Sequence, residues 1–328
     1  MDRNVKFIYD KVDSAEGRRQ LFEGFSKKYK KSWLINTQVA RDLIGCSTGG
    51  RLPTIQEFTQ KYGSSRGIVQ KALESVQKSG AIALEKRGKM GTYIGSADQK
   101  ALFRLGELEY ITATMPPAVT GDLAGLATGI CDAMEECPVP FNFAFIHGAD
   151  KRGAALSRMI YDFAVTSHAA ARRIIPRYPD LEILMSLDKC VYSPPFVLCC
   201  RRPGGQTIGD GDTVAADSSS TDQYLLTKRL CRGKKVRIIE KPYITCRALF
   251  ISGEIDFLVY RNESWIQEYH VATIPVENGG KAEYIVPVVL INRQNYNIGN
   301  ILRTFLRPAL IACSQTAVKE RRKEMQIY

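Results

Sequence analysis

The stretch from Gly50 to Ile94 constrains the chain more than any other, because its punctuation leaves few alternatives. Thr54 followed by Glu57 is a capping box: hydroxyl and carboxylate each satisfy an orphan backbone N–H at a helix start. Leu52-Pro53 fixes the approach to that helix, and Gly63 ends it after Lys61-Tyr62. Ser64-Ser65 offers a second hydroxyl cap. Behind it Ile68, Ala72, Leu73 and Val76 give the next helix one apolar face. The opposite face carries Arg66, Gln70, Lys71 and Glu74. Gly80 closes that helix and Ile82-Ala83-Leu84 starts a strand. Arg87-Gly88-Lys89-Met90-Gly91 then makes a basic loop, and Thr92-Tyr93-Ile94 returns. The expected unit is a helix–turn–helix with a β wing.

Such a unit suits duplex DNA. A helix fits the major groove, and N–H groups and capping hydroxyls at its start can hold a phosphate. The candidate contacts are Arg51, Thr54, Ser65, Arg66, Gln70 and Lys71 around the two helices, with Arg87, Lys89, Gly91 and Thr92 on the wing. On spacing alone, a helical hairpin with a solvated charged face stays open as the alternative.

The residue strings go further. The G-x-LP-[ST] lead at Gly50 to Thr54 is followed by S-R-x-x-V-x-x-A-L at Ser65, Arg66, Val69, Ala72 and Leu73. Then come G-x-I at Gly80 and Ile82, and G-x-x-G-[ST] at Gly88, Gly91 and Thr92. In this order they resemble the winged helix-turn-helix of the GntR class of bacterial transcription regulators. Gly67 stands where that class usually has threonine, and Gln70 where arginine is common, so no operator sequence transfers with the resemblance.

With 328 residues, 45% hydrophobic and 24% charged, the chain has material for two domains with their own cores. No run approaches eighteen apolar residues, and Met1-Asp2-Arg3-Asn4 lacks the features of a signal peptide, so a cytoplasmic protein without membrane contact is expected. The nine cysteines have no CxxC spacing and the three histidines are scattered; buried free thiols are expected and no metal site. Charge is uneven: residues 1–97 hold 18 Lys+Arg against 9 Asp+Glu, the remainder 28 against 25. A basic excess beside the helix–turn–helix is what phosphate binding requires. Ala15 to Phe25 reads as an amphipathic helix suited to packing in a dimer, Lys27 to Lys31 as a basic run, and Asn36 to Ile44 as the first helix of the winged unit.

Gly95 to Lys100, small and polar, reads as a linker. The division is therefore 1–97, a winged helix-turn-helix domain with a helical arm, and 98–328, an effector-binding domain. Beyond the linker strand and helix alternate twice over, which predicts α/β lobes with mainly parallel sheets. Lobe I covers about 107–187 and 283–328, and lobe II, about 188–282, is inserted within it. Ala248-Leu249 then Asp256-Phe257-Leu258-Val259 echoes Ala155-Leu156 then Asp162-Phe163-Ala164-Val165. This bilobed pattern resembles the periplasmic-binding-protein type 2 fold. The order of parts, with the YDFAVTS and GEIDFLVY strands, resembles the YhfZ-type regulator family. That resemblance implies a DNA-binding regulator with a substrate-binding-like C-terminal domain.

A ligand in such a fold sits beyond the carboxyl ends of strands, between the lobes. The candidates are Thr114, Met115, Thr120, Thr166, Ser167 and His168 from lobe I, and Ser218, Ser219, Ser220, Thr221, Arg261 and Asn262 from lobe II. The Ser218–Thr221 run at a helix start is either plain capping or a nest for a carboxylate, phosphate or phosphonate. No nucleophile motif is present, and Glu135 and Glu136 point apart on a helix, so neither catalysis nor a cofactor is expected. The expected function is a homodimeric regulator that binds operator DNA and senses a small, anion-type metabolite. A small-molecule enzyme with a residual DNA-binding head is the alternative.

Overall fold

The computed structural model describes residues 31–201, 207–277 and 286–325. The expected helix Ala15–Phe25 and Lys27 to Lys30 of the basic run lie outside them. The described chain forms two compact units. One takes in residues up to Ile111 together with Cys137–Pro140 and Tyr296–Thr304; the other comprises Thr112–Glu136, Phe141–Asn295 and Phe305 onward.

In the first unit α1 (Lys31–Leu43), α2 (Ile55–Tyr62) and α3 (Arg66–Lys78) enclose Ile35, Val39, Phe58, Val69, Leu73 and Val76. Helix α1 begins before the expected Asn36, because its apolar stripe runs back to Ile35 and Asn36 reaches Ser75 instead of capping. The capping box of α2 is complete. Thr54 N–H donates to Glu57 at 2.5 Å, Glu57 N–H donates to the Thr54 hydroxyl at 3.2 Å, and Gly63 ends the helix at φ 55°. The second cap is absent: Ser65 sits at the N-cap of α3 but its hydroxyl makes no capping bond, while Ser64 is buried.

Strands β1 (Ile82–Lys86) and β2 (Thr92–Ala97) form the antiparallel wing. Residues 49–52 lie along it. The N–H groups of Gly49 and Leu52 donate to Ile94 O at 2.7 Å and Thr92 O at 2.9 Å, and Ile94 N–H returns to Gly50 O at 2.9 Å. Residues 95–100 are not a linker. Gly95–Ala97 complete β2 in register with Ile82 and Ala83, and the Asp98 carboxylate accepts from Ala101 N–H to cap α4 (Gln99–Leu105). Small polar residues suit a strand end and a helix cap as well as they suit a loop.

The second unit holds two five-stranded sheets, one per lobe, with five helices delivered to the same cleft. In lobe I the order is β4 (Phe141–Phe145), β3 (Ile111–Met115), β5 (Phe163–Ser167), β12 (Pro287–Asn292), β6 (Leu181–Ser186). In lobe II it is β11 (Ala272–Pro275), β7 (Phe196–Cys200), β10 (Phe257–Arg261), β8 (Thr213–Ala216), β9 (Arg237–Glu240). The expectation of mainly parallel sheets is corrected to mixed ones. β3–β5, β8–β10 and β8–β9 are parallel, but β12 runs antiparallel to β5 and β6, and β7 to β10 and β11. Strand β7 carries the chain into lobe II directly from β6, with no helical crossover of the kind that enforces parallel pairing, and β12 returns it to lobe I.

Helices α5 (Gly121–Met134), α6 (Ala149–Ser157) and α7 (His168–Ile174) belong to lobe I, and α8 (Thr221–Leu230), α9 (Tyr243–Ser252) and α10 (Ser264–Glu268) to lobe II. Helix α11 (Ile298–Phe305) and α12 (Pro308–Met325) end the chain, with α12 packed along α5. Alternation on β7 explains the adjacent cysteines: Cys199 and Cys200 enter the cores on opposite faces of the lobe II sheet. Burial pushes the Cys199 thiol up to about 12. The expectation of buried thiols needs one correction, since Cys131 and Cys313 are exposed and Cys46 is half-buried. Among the described residues no helix is long and apolar enough to cross a membrane, and no group of three or more His, Cys, Asp or Glu is placed to hold a metal.

Candidate functional sites

On the first unit Arg51, Thr54, Ser65, Arg66, Gln70, Lys71, Arg87 and Lys89 are all exposed, while Gly91 and Thr92 are half-buried in the wing. Helix α3 presents Arg66, Gln70 and Lys71 away from Val69, Ala72, Leu73 and Val76, which are in the core. The pairing of residues 49–52 with β2 sets Arg51 against the wing loop, where a Cβ added to Gly91 would lie 3.3 Å from Arg51 Nε. The Arg87 guanidinium lies 4.4 Å from the centre of the Tyr93 ring and bonds Glu85 at 2.8 Å. Arg87 is thus held in place, whereas Lys89 projects from the loop tip. Behind this face Asp42 of α1 is a buried junction. It pairs with Lys61 at 2.6 Å and accepts from the hydroxyls of Tyr62 at 2.6 Å and Tyr296 at 3.2 Å. Burial first, and then the Asp42 charge, push the Tyr62 phenol far above its ordinary range.

In the second unit a cavity of about 570 Å³ is lined from both lobes. Residues at the starts of five helices reach it: Gly121, Ala149, Thr221, Tyr243 and Ser264. This is where the carboxyl ends of β3, β5, β8 and β10 lead, and the N–H ends of helices favour negative charge. Opposite rims of the lobes touch. Ser167 donates to Asp222 at 2.7 Å, and Ala149 N–H donates to Ser219 O at 3.1 Å beside Gly148, which is in the left-handed region at φ 87°.

Of the twelve residues expected at the cleft, Thr120, Thr166, Ser220, Thr221, Arg261 and Asn262 line it. The other six do not. Thr114 and Met115 are buried in β3, the Ser167 hydroxyl is spent on Asp222 and on capping α7, and His168 opens α7 with its N–H on Val286 O. Ser218 is exposed, and Ser219 folds back on Asp217 through both N–H and hydroxyl. The capping at this turn is the work of Asp217, whose second oxygen accepts from Tyr243 N–H at 2.8 Å.

Several cleft residues carried no sequence signal. Arg152 on α6 is 3% exposed; it donates to Ile146 O at 2.7 Å, Thr166 Oγ1 at 3.3 Å and Tyr192 Oη at 3.1 Å. Its Nε has no acceptor, and it makes no ion pair, among the described residues. Burial raises the Tyr192 phenol, which keeps it neutral beside the guanidinium. In contrast Arg261 pairs with Asp222 at 3.3 Å and lies 3.9 Å above the Phe196 ring, and Lys319 pairs with Asp122 at 2.5 Å. Burial pushes the Glu263 carboxyl up to about 7 against the pull of Arg247 and Arg261.

Residues 98–326 match the family described as the YhfZ C-terminal domain. The chain belongs to this family. Residues 47–94 match a helix-turn-helix domain. The YhfZ protein of Escherichia coli (strain K12) is 28% identical over 293 residues, covering 88% of this chain and 95% of its own. The crystal structure of YhfZ from Shigella flexneri superposes with a TM-score of 0.56 at 24% identity, over 68% of this chain and 95% of that one. A looser likeness, TM-score 0.44 at 12% identity, is to a periplasmic substrate-binding protein of an ABC transporter from Coxiella burnetii, over 64% of this chain and 97% of that one. In this YhfZ-family chain, a helix-turn-helix unit thus precedes a bilobed α/β domain.

Proposed function

We propose that the chain is a cytoplasmic, ligand-responsive transcription regulator. It binds operator DNA through a winged helix of the GntR type and senses a small anionic effector in the cleft between lobes I and II. The observation that carries the reading is the exposed face of the first unit. Arg66, Gln70 and Lys71 on α3, Arg51 beside the wing and Lys89 at its tip are cations and amide groups on the side of α3 left free by the core. Side chains of this kind at the start of a helix reach base edges and phosphates in a major groove, and a glycine-flanked basic loop reaches the groove beside it.

The chain acts as a homodimer on a two-fold site, each copy taking one half-site. Closing the lobes on effector alters the DNA-competent population, which requires unequal effector affinity for the competent and incompetent forms. Sensing rather than turnover fits a cleft in which Asp217 and Asp222 are occupied by structural bonds. Gel-shift titration with the DNA flanking the chain's own gene tests the reading. Binding should weaken steeply with salt and be weaker in the Arg66→Ala/Lys89→Ala double variant; equal binding by that variant would sink it.

A further inference from the structure

The sensor reading above leaves open what kind of molecule the cleft takes, and two features there bear on it. The first is Arg152, a guanidinium almost wholly buried, satisfied in part by three neutral oxygens and facing no carboxylate within ion-pair distance among the described residues. A charge held out of water without an opposite charge is costly, and a ligand oxyanion removes that cost. Across the cleft, the ten-residue helix α8 begins at Thr221, whose buried hydroxyl also has no partner among the described residues. Helix start and guanidinium lie on different lobes but line one cavity, so a single oxyanion can engage both.

The second feature is size and polarity at the mouth. About 570 Å³ lies within the ~300–1,000 Å³ that encloses organic ligands, and far exceeds a bare inorganic anion. Val119 of lobe I is 65% exposed and Ile244 of lobe II 51% exposed, and both line the cavity with Pro116 and Pro117. Large aliphatic side chains left in water on both lobes of one cleft gain from an apolar body between them.

We propose that the cleft binds an amphipathic organic oxyanion, its carboxylate, sulfonate or phosphonate head between Arg152 and the start of α8 and its apolar body between Val119 and Ile244. The inference rests on the sensor reading of this cleft. It goes further in fixing the ligand's two ends and in excluding inorganic anions as the effector.

Isothermal titration of the full chain with hexanoate, hexane-1-sulfonate and hexylphosphonate tests it and separates the three head groups. At least one should bind saturably at one site per chain, tenfold or more tighter than inorganic sulfate, with neutral hexanamide not binding. Shortening the chain from hexyl to butyl should weaken the best of them by about fourfold per methylene. Arg152→Met should lose tenfold or more. Ile244→Asp, at an exposed position, should fold normally and flatten the chain-length dependence. Binding by none of the three, equal binding of hexanamide or sulfate, or unchanged binding by a folded Arg152→Met variant overturns the proposal. Should Arg152→Met not fold, the amide comparison and Ile244→Asp decide. Failure here with gel-shift binding intact removes the ligand class and leaves the DNA-binding reading standing; loss of DNA binding alone does the reverse.

Discussion

Replacing Gly129 with alanine puts a methyl group where α12 crosses α5. The new Cβ would lie 2.6 Å from Ile311 O and 2.9 Å from Ile311 Cα, both backbone atoms that no side-chain rotation can move. The helices must part, and overpacking of this kind costs about 1–3 kcal/mol, while alanine's better helix propensity returns up to about 1 kcal/mol. The net expectation is a destabilisation of about 1–2 kcal/mol, or a Tm lowered by about 2–8 °C for a unit of this size. Gly67 is the internal control. It lies in α3 with nothing within 4 Å of its added Cβ, so Gly67→Ala should stabilise by about 0.5–1 kcal/mol. The two tryptophans, Trp33 and Trp265, fall one in each unit. Urea titrations followed by Trp265 fluorescence in a Trp33→Phe background, and by Trp33 in a Trp265→Phe background, read the units separately. Gly129→Ala as stable as its parent would refute the close helix contact. The register at stake reaches the cleft: on α12, Gln315 donates to Asp122 O at 2.8 Å and Lys319 pairs with the Asp122 carboxylate.

Other outcomes follow from single groups. Glu263 holds its proton in the folded chain up to about pH 7, whereas the unfolded chain releases it near pH 4.5. Wild-type stability relative to Glu263→Gln should therefore fall as pH rises through that window. Above pH 7 the variant should be the more stable by about 1–3 kcal/mol in denaturant titrations, and a difference independent of pH would contradict the raised value. Asp42→Asn should cost the first unit about 1–3 kcal/mol, since the Lys61 pair and the two tyrosine hydroxyls lose a charged acceptor; an unchanged Trp33 transition would refute the junction. Gly148→Ala should weaken the contact between lobe rims, because its Cβ would sit 2.9 Å from Ser219 Oγ in a backbone conformation that favours glycine. Faster hydrogen exchange at Ala149 N–H, with Leu156 N–H unchanged, would reveal it, and wild-type exchange at Ala149 would refute it.

How much was legible in the sequence followed how local its cause was. The capping box at Thr54 and Glu57, the left-handed Gly63 and the wing glycines act within a few residues, so the helix–turn–helix could be read directly. The YDFAVTS and GEIDFLVY strings fall on β5 and β10, and the helix start read at Ser218–Thr221 is that of α8. The lobe crossings were harder, because nothing in the composition of β7 or β12 records that each pairs antiparallel on both sides. The cleft was legible where strand ends dictate it, as at Thr166, Thr221 and Arg261. It was hidden where a residue's role depends on distant packing. Arg152 reads as an ordinary helix cation until Ile146, Thr166 and Tyr192 surround it, and Asp217 reads as a turn residue until it takes the bonds expected of the serines that follow.

The central claim is that α3 and the wing hold a DNA duplex. Fluorescence anisotropy of a labelled fragment from upstream of the chain's own gene, titrated with wild type and with Arg66→Ala/Lys89→Ala across a salt series, tests it most directly. The account predicts steeply salt-dependent binding by wild type. In the double variant it predicts weaker binding, with a log–log salt slope shallower by about one per phosphate contact removed. Superimposable wild-type and variant isotherms at every salt concentration would contradict it.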